Sequence, residues 1–190
     1  MHSSRLYFVA VSSLALLLGA CATDNIHWGP KNGAGKPDAN ARVIRINFGR
    51  EEPYKDSAGN TWLGDTGIDT GDVVDRGTEL AIKNTRDPDL YRTEHWGMDA
   101  FTCKLRNGHY TLRLHFCETS EHIFGPGERV FTFAVEGREF PNFDVWAKSG
   151  GFTTPYIETV PVTIADGKLD ITFTTITENP EINALEIIPD

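Results

Sequence analysis

From Arg42 onward the apolar residues recur mostly at every second position, the period of a strand with one buried face. Ile44, Ile46 and Phe48 alternate with Val43, Arg45 and Asn47. Phe101, Cys103 and Leu105 form a second run, Leu112, Leu114 and Phe116 a third, and Phe131, Phe133 and Val135 a fourth. Val160, Val162 and Ile164, then Leu169, Ile171 and Phe173, and finally Leu185 and Ile187 continue the pattern. No stretch of ten residues carries a helical stripe. Asn107-Gly108, Glu136-Gly137 and Asp166-Gly167 separate runs with residues that tolerate positive φ. The pattern predicts an all-β fold: an antiparallel β-sandwich of nine or ten strands, a jelly roll, whose roughly 150 residues suffice to enclose a core.

The first twenty residues read differently. Arg5 precedes an apolar run from Leu6 to Ala20, broken only by Ser12 and Ser13. That is a signal-peptide pattern, shorter than the ~20 residues a membrane helix needs. Leu18-Gly19-Ala20-Cys21 resembles the lipobox of bacterial lipoproteins, which implies cleavage before Cys21 and acylation of its thiol. A plain secretory signal cut near Ala20 is the alternative. Two or more acyl chains, at about 0.8 kcal/mol per buried CH2, make a stable anchor. Ala22 in place of Asp implies, by the same resemblance, delivery to the outer membrane. Gly29, Pro30, Gly33, Gly35 and Pro37 then mark residues 21–41 as a flexible tether. The organisation expected is a lipoprotein signal peptide over 1–20, the lipidated Cys21 and tether over 21–41, and one folded domain over 42–190.

Cys103 and Cys117 remain, in a compartment that would let them pair. If Asn107-Gly108 closes a two-residue hairpin, Cys103 faces Leu112 and Cys117 points to the other side. If the two strands belong to different sheets, a bridge stays open.

Composition removes several function classes. The 18 Lys+Arg against 27 Asp+Glu give a formal charge of −9, which becomes −10 once Arg5 leaves with the leader. A nucleic-acid reader needs a basic stripe that this chain lacks. The six His form no His-Glu-x-x-His pair, the Cys have no Cys-x-x-Cys spacing, and no Ser sits in a Gly-x-Ser-x-Gly turn. No metal, cofactor or catalytic nucleophile is therefore expected. Asp65, Asp69 and Asp72 share a Gly-rich loop that could offer oxygens to calcium, but the spacing is not that of an EF-hand and a solvated loop is the simpler reading. Glu94, Glu118, Glu121 and Glu178 lie near predicted strand ends and could form the paired carboxylates of a glycosidase.

The aromatic residues point elsewhere. Trp96 sits in the polar segment Tyr91-Arg92-Thr93-Glu94-His95-Trp96-Gly97, as a strand-end or loop indole. An indole beside carboxylates and amides suits a neutral sugar, which needs an apolar plate and fixed hydrogen-bonding groups. Capping of the core's open end is its alternative role. Trp62 and Trp146 read as core or rim packing, and Tyr156 is open.

Five segments together resemble the malectin domain. They are Ile46-Asn47-Phe48-Gly49, Asp56-Ser57-Ala58-Gly59-Asn60-Thr61-Trp62, Tyr91-Arg92-Thr93-Glu94, Gly108 through Glu118, and Glu178-Asn179-Pro180-Glu181-Ile182-Asn183-Ala184-Leu185-Glu186-Ile187. The resemblance runs from Val43 to Pro189 and implies a galactose-binding-like jelly roll that recognises carbohydrate. It implies that Trp96 stands for a ligand-contacting tyrosine and Glu178 for an aspartate. Arg76 and Ser120-Glu121 stand where the family has aromatics, so the sugar preference departs from the family's. Phe124, in a longer loop, could restore one plate or tuck into the core. Glu118 could hold the loops or touch ligand.

The expected function is thus a lipid-anchored, non-enzymatic glycan-binding domain of the bacterial cell envelope. Its candidate site is Arg76, Tyr91, Trp96, Phe124 and Glu178, supported by Glu94, Glu118 and Asn179. Arg76 suits an acidic sugar or a hydroxyl pair. The rivals are a protein-interaction module using the same loops and the two-carboxylate hydrolase.

Overall fold

The computed structural model describes residues 42–190. Cys21, the leader and the tether lie outside the described residues, as does Trp28. Strands β1 (Ile44–Asn47), β2 (Tyr54–Lys55), β3 (Thr61–Trp62) and β4 (Asp72–Asp75) lead to a helical turn, α1 (Asp89–Arg92). Then come β5 (Thr93–Trp96), β6 (Ala100–Lys104), β7 (Gly108–Phe116), β8 (Val130–Val135) and β9 (Arg138–Phe143). A second short helix, α2 (Val145–Ser149), precedes β10 (Tyr156–Ile164), β11 (Lys168–Thr177), β12 (Glu181–Ile182) and β13 (Ala184–Pro189). Apart from three two-residue strands there are ten among the described residues; seven coincide with the alternating runs, and β4, β5 and β9 lie where no such run was read.

Two four-stranded antiparallel sheets make the sandwich, in the orders β1-β13-β7-β10 and β6-β11-β8-β9. The alternating residues are the core: Ile46, Leu112, Leu114, Phe116, Leu185 and Ile187 face Phe101, Phe131, Phe133, Leu169 and Ile171 across it. Phenylalanine fills the centre, with the Phe116 and Phe143 centroids 4.8 Å apart and Phe133 stacked on Phe140 at 4.5 Å.

Of the three turn dipeptides only Glu136-Gly137 closes a hairpin within one sheet, β8 to β9, with positive φ at both residues. Asn107-Gly108 and Asp166-Gly167 instead carry the chain between the sheets, because β6 pairs with β11 while β7 pairs with β10 and β13. Of the two arrangements left open around Asn107, the one found puts the flanking strands in different sheets. Asn107 Nδ2 donates to Ala165 O at 2.8 Å and ties the two crossovers together. Cys103 lies in the main core, and Cys117 is a free thiol in a second cluster. Burial pushes the Cys117 thiol up, which keeps it unreactive.

The second cluster, Trp62, Leu90, Tyr91, Cys117 and Ala184, joins β3 and α1 to β7 and β13. Two buried asparagines stitch that segment down. Asn47 Nδ2 reaches Leu90 O, Asn183 O and Thr93 Oγ1 at 3.0–3.1 Å, and Asn183 Nδ2 reaches Thr93 O at 2.9 Å. The chain thus turns into β5, the centre of a three-stranded sheet ordered β12-β5-β4.

The molecule has two unlike poles. One gathers the start of β1, the crossovers at Asn107 and Asp166, and Asp190, whose N–H donates to His109 O. The other gathers Glu118, Arg129, Asn179 and the three-stranded sheet.

Candidate functional site

Cross-strand pairing decides which residues share a face. Asp72 and Glu181 lie opposite Trp96, and Val74 lies opposite Glu94. Glu94 and Trp96, two apart on β5, therefore point the same way, with Glu181 beside the tryptophan.

Glu94 is 1% exposed, and Arg76 Nη2 donates to its Oε1 at 2.7 Å. Thr119 Oγ1 donates to Glu94 Oε2 at 2.5 Å and accepts from Arg76 Nε at 3.1 Å, which closes a triangle. Arg76 keeps about a quarter of its side chain, 26%, in solvent. Next to this lies a second buried pair. Arg129 Nε donates to Glu118 Oε2 at 2.7 Å, the Ser120 amide donates to Glu118 Oε1 at 2.9 Å, and Arg129 Nη1 donates to Asn179 O. Burial lifts the Glu118 carboxyl, with Arg129 and Ser120 acting against that lift.

Glu181 completes the group. It is wholly buried, and neither of its oxygens meets a donor among the described residues. Burial first, then the charges of Glu94 and Glu118, push its carboxyl well above the usual range.

The expected residues fall into two sets. Arg76, Glu94, Trp96, Glu118 and Asn179 come together, and Glu178 adjoins them, exposed, at φ +59. Glu178 Oε1 accepts the Asn179 amide at 3.1 Å. Trp96 is half-buried, and no ring among the described residues stacks on it. Tyr91 stands apart: it is 4% exposed inside the second cluster, and its hydroxyl meets His115 Nδ1 at 2.8 Å, so it packs rather than faces solvent. Phe124 lies out on the β7–β8 loop at 75% exposure rather than in the core, its amide donating to Glu128 Oε2 at 2.6 Å.

Thr119, Arg129 and Glu181 escaped the sequence reading. Phase was the available signal: Arg129 keeps step with Phe131 and Phe133, and Glu181 with Leu185 and Ile187, so both are charged residues in inward register.

The Asp-rich loop serves packing. Asp65 Oδ2 accepts the Gly49 amide at 2.8 Å and faces His95 Nδ1 at 2.8 Å, and His95 Nε2 faces Thr70 O at 2.9 Å. No metal-ligating cluster occurs among the described residues. Trp62 is buried, its indole N–H donating to Asp56 at 3.0 Å, while Trp146 leans on Phe152 at 6.3 Å.

A family model described as "Malectin domain" matches residues 42–185. No protein of curated function matches the chain. Among solved structures, Bacteroides uniformis beta-glucuronidase is similar at 18% identity and TM-score 0.71, over 78% of this chain and 18% of that one. The ANXUR2 extracellular domain from Arabidopsis thaliana is similar at 19% identity and TM-score 0.68, over 77% of this chain and 48% of that one. A structure of the plant peptide RALF23 in complex with FER and LLG2 matches at 22% identity and TM-score 0.67, over 77% and 48%. These likenesses are of fold, and the chain spans less than half of each of those proteins.

Proposed function

Because the chain belongs to the malectin domain family, we propose that it is a non-enzymatic carbohydrate-binding protein, held by an acylated Cys21 at the outer membrane of a bacterial envelope. Trp96 carries the reading. A half-buried indole with no ring among the described residues stacked on it, on the same sheet face as the Arg76–Glu94 pair, offers an apolar plate with hydrogen-bonding groups beside it. Asn179 and the exposed Glu178 supply further polar groups at the same pole. Arg76 has already committed Nε and Nη2 to Thr119 and Glu94, so its remaining edge suits a hydroxyl pair better than a carboxylate. Glu94 and Glu118 are buried and engaged by arginines, which favours binding over the two-carboxylate hydrolysis that would need them open to a glycosidic oxygen.

Retention of the purified full chain on an array of glucose-, galactose- and uronic-acid-ended glycans tests this. Trp96→Ala and Glu178→Ala should each abolish retention and leave the fold intact. A blank array with folded protein would favour the second reading, a protein-interaction module. That reading draws on the 75% exposure of Phe124 and on the likeness to FER, which was solved with a peptide.

A further inference from the structure

Five groups face the buried Glu181 carboxyl: Glu94 from β5, Cys117 and Glu118 from the segment that follows β7, Arg129 from the residue before β8, and the neutral backbone of Trp96 across the strand pair. Arg129 is spent, with Nε on Glu118 and Nη1 on the Asn179 carbonyl. Arg76 is spent on Glu94 and Thr119. The two guanidinium charges are thus balanced by Glu94 and Glu118 before Glu181 is counted. A third carboxylate would be a buried charge with no hydrogen-bond donor and only a distant share of the Arg129 charge already paired with Glu118, which proteins avoid by taking up a proton.

We propose that Glu181 is held as a neutral carboxylic acid whose O–H donates to the Glu94 carboxylate, and that this shared proton fixes Glu94 and, through it, the Arg76 guanidinium. Glu94 has the capacity, since each carboxylate oxygen accepts more than one hydrogen bond. Glu181 is thereby a positioning residue: it touches no solvent, yet it lies directly across from Trp96 and sets the donor geometry on that face. The inference concerns the proton and its neighbours, and it holds whatever the face binds.

The sign of the pH dependence follows. The unfolded chain releases this proton near pH 4.3, and the folded chain keeps it. The stability contributed is complete below that pH and is lost as pH rises through the folded value. Glu181→Gln keeps a donor and removes the titration. In denaturant unfolding of the full chain between pH 5 and 9, the ratio of folding constants, Gln variant over wild type, should rise about tenfold per pH unit until the folded value is passed. A ratio that does not change with pH overturns the proposal. The wild type supplies an independent reading: with 13C-labelled glutamate the Glu181 Cδ resonance should sit at the carboxylic-acid position at pH 7, and a carboxylate position there overturns it. The Arg76 Nε–H resonance should shift as Glu181 titrates. An Arg76 signal indifferent to that titration removes the positioning role.

Discussion

Arg129 and Glu118 meet at 2.7 Å with 6% and 0% of their side chains exposed, and the same guanidinium also binds the carbonyl of Asn179. One buried cation therefore joins the end of β7 to the turn before β12. Arg129→Met should destabilise the protein by about 3–5 kcal/mol, because it strands Glu118 as an unpaired buried charge. Arg129→Met with Glu118→Gln should cost less than the sum of the single changes, as urea denaturation would show.

Asn47 holds α1 and β5 against β1 and β13. Asn47→Ala takes the side-chain donor from Leu90 O, while Asn183 O keeps the Phe48 amide, so the cost should be roughly 1–3 kcal/mol. The loss should appear in denaturation curves, and hydrogen exchange should quicken over residues 89–96 before the main sandwich opens.

His95 faces an acceptor at each ring nitrogen, Asp65 Oδ2 and Thr70 O, and only the doubly protonated ring donates to both. Burial opposes the charge, but the Asp65 carboxylate and the Thr70 carbonyl outweigh it, so the pKa is raised. The stabilisation is complete below about pH 6.5, the ordinary value, and is lost as pH rises through the folded one. The advantage of wild type over His95→Gln, roughly 1.5–3 kcal/mol for charge-assisted bonds, should shrink as pH rises above about 6.5.

Gly71 stands at φ +91, and a Cβ there would lie 2.4 Å from the Trp96 carbonyl oxygen. Gly71→Ala must push the end of β5 aside, at a cost of about 1–3 kcal/mol. Changed Trp96 fluorescence in a protein that still folds is the expected outcome, with glycan retention reduced alongside it.

The sandwich was legible because its core is a period-two pattern, and nearly every residue in those alternating runs faces inward. Which runs share a sheet was not legible. Asn107-Gly108 has hairpin chemistry, yet Leu105 bonds to Gly167 and the chain crosses between sheets, a choice set by distant pairing rather than by the turn. At the site, Trp96 and Glu94 were visible as an indole and a carboxylate in one polar segment. Tyr91 looked equivalent in sequence, but α1 turns it into the second cluster against His115. Arg129 and Glu181 were hidden because a lone charge in or beside a strand reads as solvent-facing until its neighbours, Glu118 for Arg129 and Glu94 for Glu181, 11 and 87 residues away, are brought to it.

The nine residues of β7 span about 30 Å at roughly 3.3 Å each, and they run from the pole where the chain enters to the pole that carries Trp96. The start of the described chain and the Trp96 face are therefore kept on opposite ends of one rigid post. A bulky fusion joined ahead of Arg42 would leave the tryptophan face open to large partners, whereas the same cargo inserted beside Glu121 or Glu178 would shade it.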